Sequence, residues 1–453
     1  MEDKWDAIII GAGMSGLSVG ALLANSGARV LILEKGVEPG GRNCKIEYNG
    51  FTLDNGLHAF GREGYLEDVF EKVGKPLPNM RPIDDTYLFL DGDWKNVKNL
   101  VPRDKVKKIY KEILETPNEK IEALDDVSLK EWVGQRTSDE ILHRFFCNIG
   151  QMYLVANKYE LISASEVLFA IKDCLLRRGS QQGFWIDGGD NKFILPLVEA
   201  VQERGGEIRL GVRVDEIIVK NGVTQGIAIE KPRVNLSQMP ETDEIKAPII
   251  ISTLPLWDLF SIVSEEHFPV WYTDWVKSIM HRVSYFYTLF AGLKKPLWKE
   301  GGFKIHPKFP PTGLFSIFTE ISNMDKTNAP DGKGFMICTT QGYYDEFPNL
   351  FDANQAKVRR DVKRLFDRFE EGIDTFLEGF KENRLWTFRH AARYSIAQEP
   401  GMVGKFRPGA KPPEVKGLYL ASDTIRTRGV GINSAACAAL NCFDRIREDH
   451  EIN

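Results

Sequence analysis

The sequence predicts an α/β fold of two domains, one built on a parallel βαβ sheet and interrupted by a second of α+β character. Three observations predict it. At 453 residues the chain exceeds the roughly 50–250 residues that a single core usually organises. Its start reads as strand, glycine turn, helix and strand within residues 5–34. The same alternation returns near residues 187–255 and 417–446, separated by tracts of different texture.

Residues 5–10 are apolar and rich in β-branched side chains, as a strand buried on both faces requires. The chain turns at Gly11-Ala12-Gly13 and continues with Leu17, Ala21, Leu22 and Ala24 at helical spacing, closed by Gly27. Residues 29–34 (RVLILE) form the next strand. The middle block carries Gly188-Gly189, a helix over about 193–204, strands near 207–210, 214–219 and 225–229, and a short buried strand at 248–252 ending on Thr253. The polar tract 231–246 predicts a surface loop. A last strand at 417–421 leads into a closing helix over about 432–446. The chain thus divides into a first domain of residues 1–75, 185–255 and 405–453 and a second of residues 76–184 and 256–404. The second has more aromatic residues and long mixed helices, such as 356–380, and is the natural place for a substrate cavity.

Hydrophobic residues at 43% and charged residues at 27% are the balance of an ordinary folded chain. A net charge of −5 with mixed signs argues against nucleic acid as a partner. The six cysteines lie scattered, without zinc or iron–sulfur spacing, so no metal site is expected. The N-terminus lacks the features of a signal peptide, and no stretch reaches the roughly 20 apolar residues that span a bilayer, so a cytoplasmic protein is expected. Val106, Ile109, Tyr110, Ile113 and Leu114 form an apolar stripe beside Arg103, Lys105, Lys107, Lys108 and Lys111. Two arrangements suit it: a helix in peripheral membrane contact, and a helix covering the second domain.

Gly11-x-Gly13-x-x-Gly16 follows a strand and opens a helix, the context in which the backbone can approach a pyrophosphate at a helix N-terminus. Glu34 ends the next strand, near the spacing expected of the acid that binds a ribose hydroxyl and repels a 2′-phosphate. Gly40-Gly41 permit a tight crossing beside the phosphates, and Arg42 offers a rigid forked donor suited to phosphate oxygens.

From Ile8 to Arg42 the chain resembles the flavoprotein superfamily of amine oxidases, phytoene desaturases, carotenoid isomerases, retinol saturases and protoporphyrinogen oxidase. The resemblance implies a Rossmann-like FAD-binding domain interrupted by an α+β substrate domain, with FAD as cofactor. It implies cofactor contacts at Gly11, Ala12, Gly13, Met14, Ser15 and Gly16, at Glu34 and Lys35, and at Gly40, Gly41 and Arg42. Near the other end, the strand running into Ser422-Asp423 resembles the family's strand ending in Gly-Asp, whose aspartate contacts the cofactor; here Ser422 replaces the glycine. Gly431, Ile432 and Asn433 match the loop and helix start that face the flavin's pyrimidine carbonyl. Val212-Arg213-Val214 corresponds to the segment where a valine, here Val214, holds the adenine, and Thr253 is a further contact candidate. Asp54-Asn55-Gly56-Leu57-His58 corresponds to a stretch near the isoalloxazine, giving Asn55, Gly56 and Leu57 as contacts. His58 is then either a proton carrier or a ring packed against the flavin edge.

Trp386, Phe388 and His390 alternate and would share one side of a strand passing the flavin. With Tyr153 and Tyr394 they are pocket candidates, His390 joining His58 as a catalytic candidate, and core packing is the other reading. Amine oxidases of this family place an aromatic residue shortly before the closing helix and commonly a glutamate where Asp423 stands; the stretch from Arg426 to Gly431 contains no aromatic. The resemblance therefore implies hydride transfer between flavin and a carbon–hydrogen bond of a small hydrophobic, cyclic or alkenyl substrate, as in desaturases, saturases and isomerases. Flavin amine oxidase is the alternative. Arg426 and Arg428 read as solvated surface arginines or as contacts for an anionic substrate group. Without a second GxGxxG unit, the expected electron partners are oxygen, a quinone or a redox protein, or the substrate itself. Rab escort and GDP-dissociation-inhibitor proteins share the architecture as non-catalytic prenyl-protein binders, but have lost the residues standing here as Glu34, Arg42 and Asp423.

Overall fold

The structure, a computed structural model, describes residues 5–54, 59–83, 85–154, 156, 158–178, 183–230, 242–343 and 355–450. Five parallel strands form one sheet in the order Glu207–Leu210, Val30–Glu34, Ala7–Ile10, Ile249–Ser252 and Leu418–Leu420. Its central strands are apolar at nearly every position because both faces are covered. Ala7, Ile9, Val30, Ile32, Ile249 and Ile251 pack with residues of the helices Met14–Asn25, Ile194–Glu203 and Ile432–His450. The alternate set, Ile8, Ile10, Leu31, Leu33 and Ile250, packs with Val214, Ile217 and Ile227 and with the helix Val270–Ile279. Ile10 pairs with Leu33 on one side and with Ser252 on the other, and Ser252 pairs with Leu420, so the carboxyl ends of four strands finish level. Ligands of open parallel sheets bind at that end, above the strand where the order reverses.

Thr242–Lys246, expected within a surface loop, is instead a strand paired antiparallel with Val223–Glu230. Its polarity is that of an outer strand, where charged side chains discourage further pairing. The rest of that tract, residues 231–241, lies outside the described residues.

The second sheet has seven strands, in the order Arg384–Ile396, Val283–Leu293, Gly334–Tyr343, Leu314–Glu320, Phe303–Phe309, Thr86–Leu90 and Asp93–Asn96. Leu289, Ala291, Phe318, Met336 and Cys338 point to one face and pack on Phe369 and Ile373 of the helix Ala356–Phe376. Phe290, Phe315, Ile317, Phe335 and Ile337 point to the other and pack with Phe51, Tyr48, Trp386 and Phe388.

The apolar stripe lies on the helix Arg103–Glu115, where Val106, Ile109 and Ile113 are buried against the helix Ala164–Arg178 and its neighbours. Val101, Tyr110 and Leu114 line a shallow depression of about 790 Å³ with Lys107, Lys108 and Lys111 at its rim. Among the described residues, no helix is long and apolar enough to cross a membrane.

Candidate cofactor and active site

The glycine turn sits at the carboxyl end of the first strand. Glu34 reaches it from the neighbouring strand: Ala12 N–H donates to its Oε2 at 2.8 Å and Gly36 N–H to its Oε1 at 2.7 Å. A Cβ added to Gly16 would lie 2.0 Å from the Gly11 carbonyl oxygen, so only glycine permits this close passage of helix and turn. No side chain caps the helix at Gly13, and a Cβ there would meet nothing within 4 Å. An uncapped helix start facing open space can receive an anion. Gly40 N–H donates to the Ala12 carbonyl at 2.8 Å, so the Gly40-Gly41-Arg42 crossing lies against the turn. Met14 and Ser15 are buried, and the Ser15 hydroxyl donates to the Ala435 carbonyl of the closing helix at 3.0 Å. Lys35, by contrast, is exposed.

Other segments converge on the same end of the sheet. Thr253 Oγ1 donates to the Ile10 carbonyl at 2.7 Å, and Val212 N–H to the Glu34 carbonyl at 2.8 Å, while the Val214 side chain is core. Ala421 N–H continues the strand pairing onto the Ser252 carbonyl at 2.9 Å. The Ser422 hydroxyl turns inward, 2.9 Å from that of Thr424, so serine is accommodated where the resemblance implied glycine. Asp423 is buried and bonded to Arg42 Nη2 at 2.8 Å, and Arg42 Nη1 donates to the Tyr394 carbonyl at 2.6 Å. Asn433, 1% exposed on the closing helix, donates its Nδ2 to the Gly61 carbonyl at 2.7 Å, yet its Oδ1 has no partner. Buried acceptors are rarely left unmatched. These groups suit a flavin dinucleotide: the uncapped helix start for the pyrophosphate, Glu34 for the ribose, Arg42 and Asp423 for the phosphate and ribityl region, and Asn433 Oδ1 for a ring N–H. Asn55, Gly56, Leu57 and His58 lie outside the described residues.

The structure brings Trp386, Phe388 and His390 onto one face of the seven-stranded sheet, opposite Gly292, Phe290 and Thr288 respectively. Trp386 and Phe388 pack on Tyr48 at ring distances of 5.0 and 5.4 Å, and Trp386 also on Phe51. They are therefore an aromatic wall and part of a core at once. His390 stands beside Phe290, and burial holds its imidazole below the usual value, hence uncharged at neutral pH. The register slips between the Tyr285–Arg393 and Val283–Ile396 pairs, a bulge that falls at Tyr394. Tyr394 accordingly reaches the closing turn: its hydroxyl would lie 3.2 Å from a Cβ on Gly431. A small cavity of about 40 Å³ marks this junction, lined by Phe286, Gln341, Tyr394, Asp423 and Gly431. Tyr153 stands beside Cys174 and Gly61, whose carbonyl accepts the bond from Asn433.

The charges of Arg428, Asp125, Glu166 and Arg407 escaped sequence reasoning. Arg428 is not a surface arginine: its Nη1 pairs with Asp125 Oδ1 at 2.9 Å and Glu166 Oε1 at 2.7 Å, both carboxylates being buried. Arg426 is exposed, as a solvated arginine should be. Arg407, 2% exposed, donates to the carbonyls of Met402, Ile396 and Asp423 at 2.6, 2.9 and 3.3 Å, fixing the backbone behind Asp423. Asp125, in a turn, and Glu166, on the helix Ala164–Arg178, belong to no motif, so nothing in the sequence pointed to them. Arg42→Ala is expected to weaken FAD retention roughly tenfold, since it removes charge-assisted bonds from a half-exposed side chain. Equilibrium dialysis of reconstituted protein measures this, and unchanged retention would mean that Arg42 serves the protein fold alone.

The family described as flavin containing amine oxidoreductase matches residues 14–446. Among curated relatives, 4,4'-diapophytoene desaturase of Methylomonas sp. is 28% identical over 51% of this chain and 52% of its own length. Prolycopene isomerase of Daucus carota is 23% identical over 98% of this chain and 80% of its own length. The chain spans about half the length of the first of these, and 49% of human all-trans-retinol 13,14-reductase, which is 22% identical. Of solved structures, an oxidoreductase from Methanosarcina mazei superposes with a TM-score of 0.72 at 20% identity, covering 97% of this chain and 99% of that one. Putrescine oxidase superposes with a TM-score of 0.61 at 14% identity, covering 99% of both chains. The match across nearly the whole chain, joined to a turn, strand ends and closing helix that suit a flavin dinucleotide, places this chain in the flavin-containing amine oxidoreductase family.

Proposed function

We propose that the protein oxidises, reduces or isomerises a carbon–carbon bond of a small, largely apolar, cyclic or alkenyl substrate. Bound FAD supplies two-electron exchange with a carbon–hydrogen bond, and the chain supplies position and dry surroundings. One observation carries the reading. The sheet face that holds Trp386, Phe388 and His390 continues through Phe286, Thr288, Phe290, Thr339 and Gln341, and no carboxylate stands among the described residues of those three strands on that face. Asp423, which lines the adjoining cavity, is already paired with Arg42, so an alkylammonium group would be desolvated against this face without a free counter-charge, whereas a ring or polyene loses nothing on entering. Thr288 and Thr339, bonded to each other at 3.1 Å, and the neutral His390 give the wall one polar spot for a substrate oxygen or a proton. The names of the relatives point the same way, to diapophytoene, prolycopene and retinol.

Amine oxidation is a second reading, favoured by Tyr394, which brings an aromatic ring to Gly431 even though the segment before the closing helix has none. Oxygen, a quinone or a redox protein would take the electrons of an oxidation, a reduced redox protein or quinol would supply those of a reduction, and an isomerisation would return them to the substrate itself. Anaerobic bleaching of the flavin by panels of polyenes, cyclic enoic acids and amines decides between them. Bleaching by alkenyl or cyclic compounds is expected; bleaching by simple amines alone would overturn the first reading.

A further inference from the structure

Glu63 is 2% exposed and lies against the closing turn. A Cβ on Gly429, whose φ is +85°, would stand 2.3 Å from Glu63 Oε2, and Val430 N–H donates to the carboxyl. The same segment is clamped to the closing helix through the bond from Asn433 to Gly61. Glu63 therefore touches the backbone that leads into the flavin end of the site.

Its surroundings are acidic. Glu67 and Tyr65 face it from the helix Tyr65–Val73, and Glu166, Asp173 and Cys174 from the helix Ala164–Arg178. Tyr153 and Cys437 complete the enclosure. The nearby cations are engaged elsewhere, Arg62 with Glu67 at 2.9 Å and Arg428 with Asp125 and Glu166. Glu166 Oε2 is itself buried without a hydrogen-bond partner, so the pocket already holds more acceptors than donors. Burial first, then the charges of Asp173 and Glu166, push the Glu63 carboxyl well above the ordinary carboxylate range, against the single pull of the Val430 amide.

We propose that Glu63 is a positioning residue that holds a proton behind the closing turn, keeping this spot uncharged so that the amide end of the closing helix can stabilise negative charge on the reduced flavin. A helix N-terminus favours such charge, and an ionised carboxylate beside it would cancel the effect. Where the pH is high enough to ionise Glu63 in the oxidised protein, reduction draws it back to the acid. Two electrons enter from an inorganic reductant such as dithionite, one proton goes to the ring, and one more passes from solvent to the Glu63 carboxylate, with no other bond changed. The inference rests on FAD in the site and not on the identity of the substrate.

The test is a redox titration of the FAD-loaded protein from mildly acidic to alkaline pH, comparing wild type with Glu63→Gln. Wild type is expected to take up one more proton per reduction at alkaline pH than at neutral pH, seen as a steeper fall of the midpoint potential. Glu63→Gln should lose that extra proton while still holding FAD. Infrared difference spectra of dithionite-reduced against oxidised wild type should show a gained carboxylic acid carbonyl band at alkaline pH, a readout that stands even if the variant does not fold. Equal slopes in the two proteins, or no such band in wild type, would overturn the proposal.

Discussion

Gly16→Ala is expected to yield a nearly colourless protein. The added methyl would lie 2.0 Å from the Gly11 carbonyl oxygen, a backbone atom with no rotamer by which to escape, so the turn and the helix Met14–Asn25 must separate. Overpacking of this kind costs about 1–3 kcal/mol. The displacement falls at the uncapped helix start and disturbs the bond from Ala12 to Glu34 as well. A loss of about 2 kcal/mol of binding corresponds to roughly a thirtyfold fall in FAD affinity. The flavin-to-protein absorbance ratio after gel filtration measures it, with circular dichroism confirming that the chain is folded. A wild-type ratio would show that the turn is not a cofactor site.

The second large effect is expected at Arg428. Arg428→Ala strands Asp125 and Glu166, which are 0% and 2% exposed, and removing one member of a buried ion cluster costs about 3–5 kcal/mol. The loss should depend on pH in a defined direction. Burial already raises the Glu166 carboxyl above its ordinary range, while Arg428 pulls it down; without Arg428 it rises further. A carboxyl whose folded value exceeds its unfolded value contributes fully below the unfolded value, and that contribution is lost as pH rises through the folded one. The deficit of Arg428→Ala relative to wild type should therefore be small in mild acid and grow towards neutral pH. Thermal unfolding across that range checks it. A deficit independent of pH would show that the loss is one of packing against Phe169, over which the guanidinium lies at 4.6 Å.

The parallel sheet was legible because its strands are buried on both faces and hence apolar throughout, as in Ala7–Ile10 and Val30–Glu34. The dinucleotide turn was legible because its backbone geometry demands glycines at fixed offsets. Thr242–Lys246 was not, since an outer strand with exposed charged side chains has the composition of a loop. Arg428 was misjudged for a related reason: a charged side chain reads as solvated unless its partners are known, and Asp125 and Glu166 are far away in sequence and carry no motif. Glu63 was invisible for the same cause, its acidity being set by burial and by Asp173, Glu166 and Glu67 from two helices. The face of the second sheet was half legible, for alternation placed Trp386, Phe388 and His390 together, but the bulge that turns Tyr394 to Gly431 leaves no trace in the spacing.

The bond between Arg42 and Asp423 joins segments 381 residues apart. During synthesis the ribosome releases the glycine turn long before the strand Leu418–Leu420 and the helix that follows it, so the nascent chain spends most of its elongation with half a cradle. Both segments must therefore be synthesised before the cradle can close, and a product terminated ahead of the strand Leu418–Leu420 would lack the Asp423 side of it.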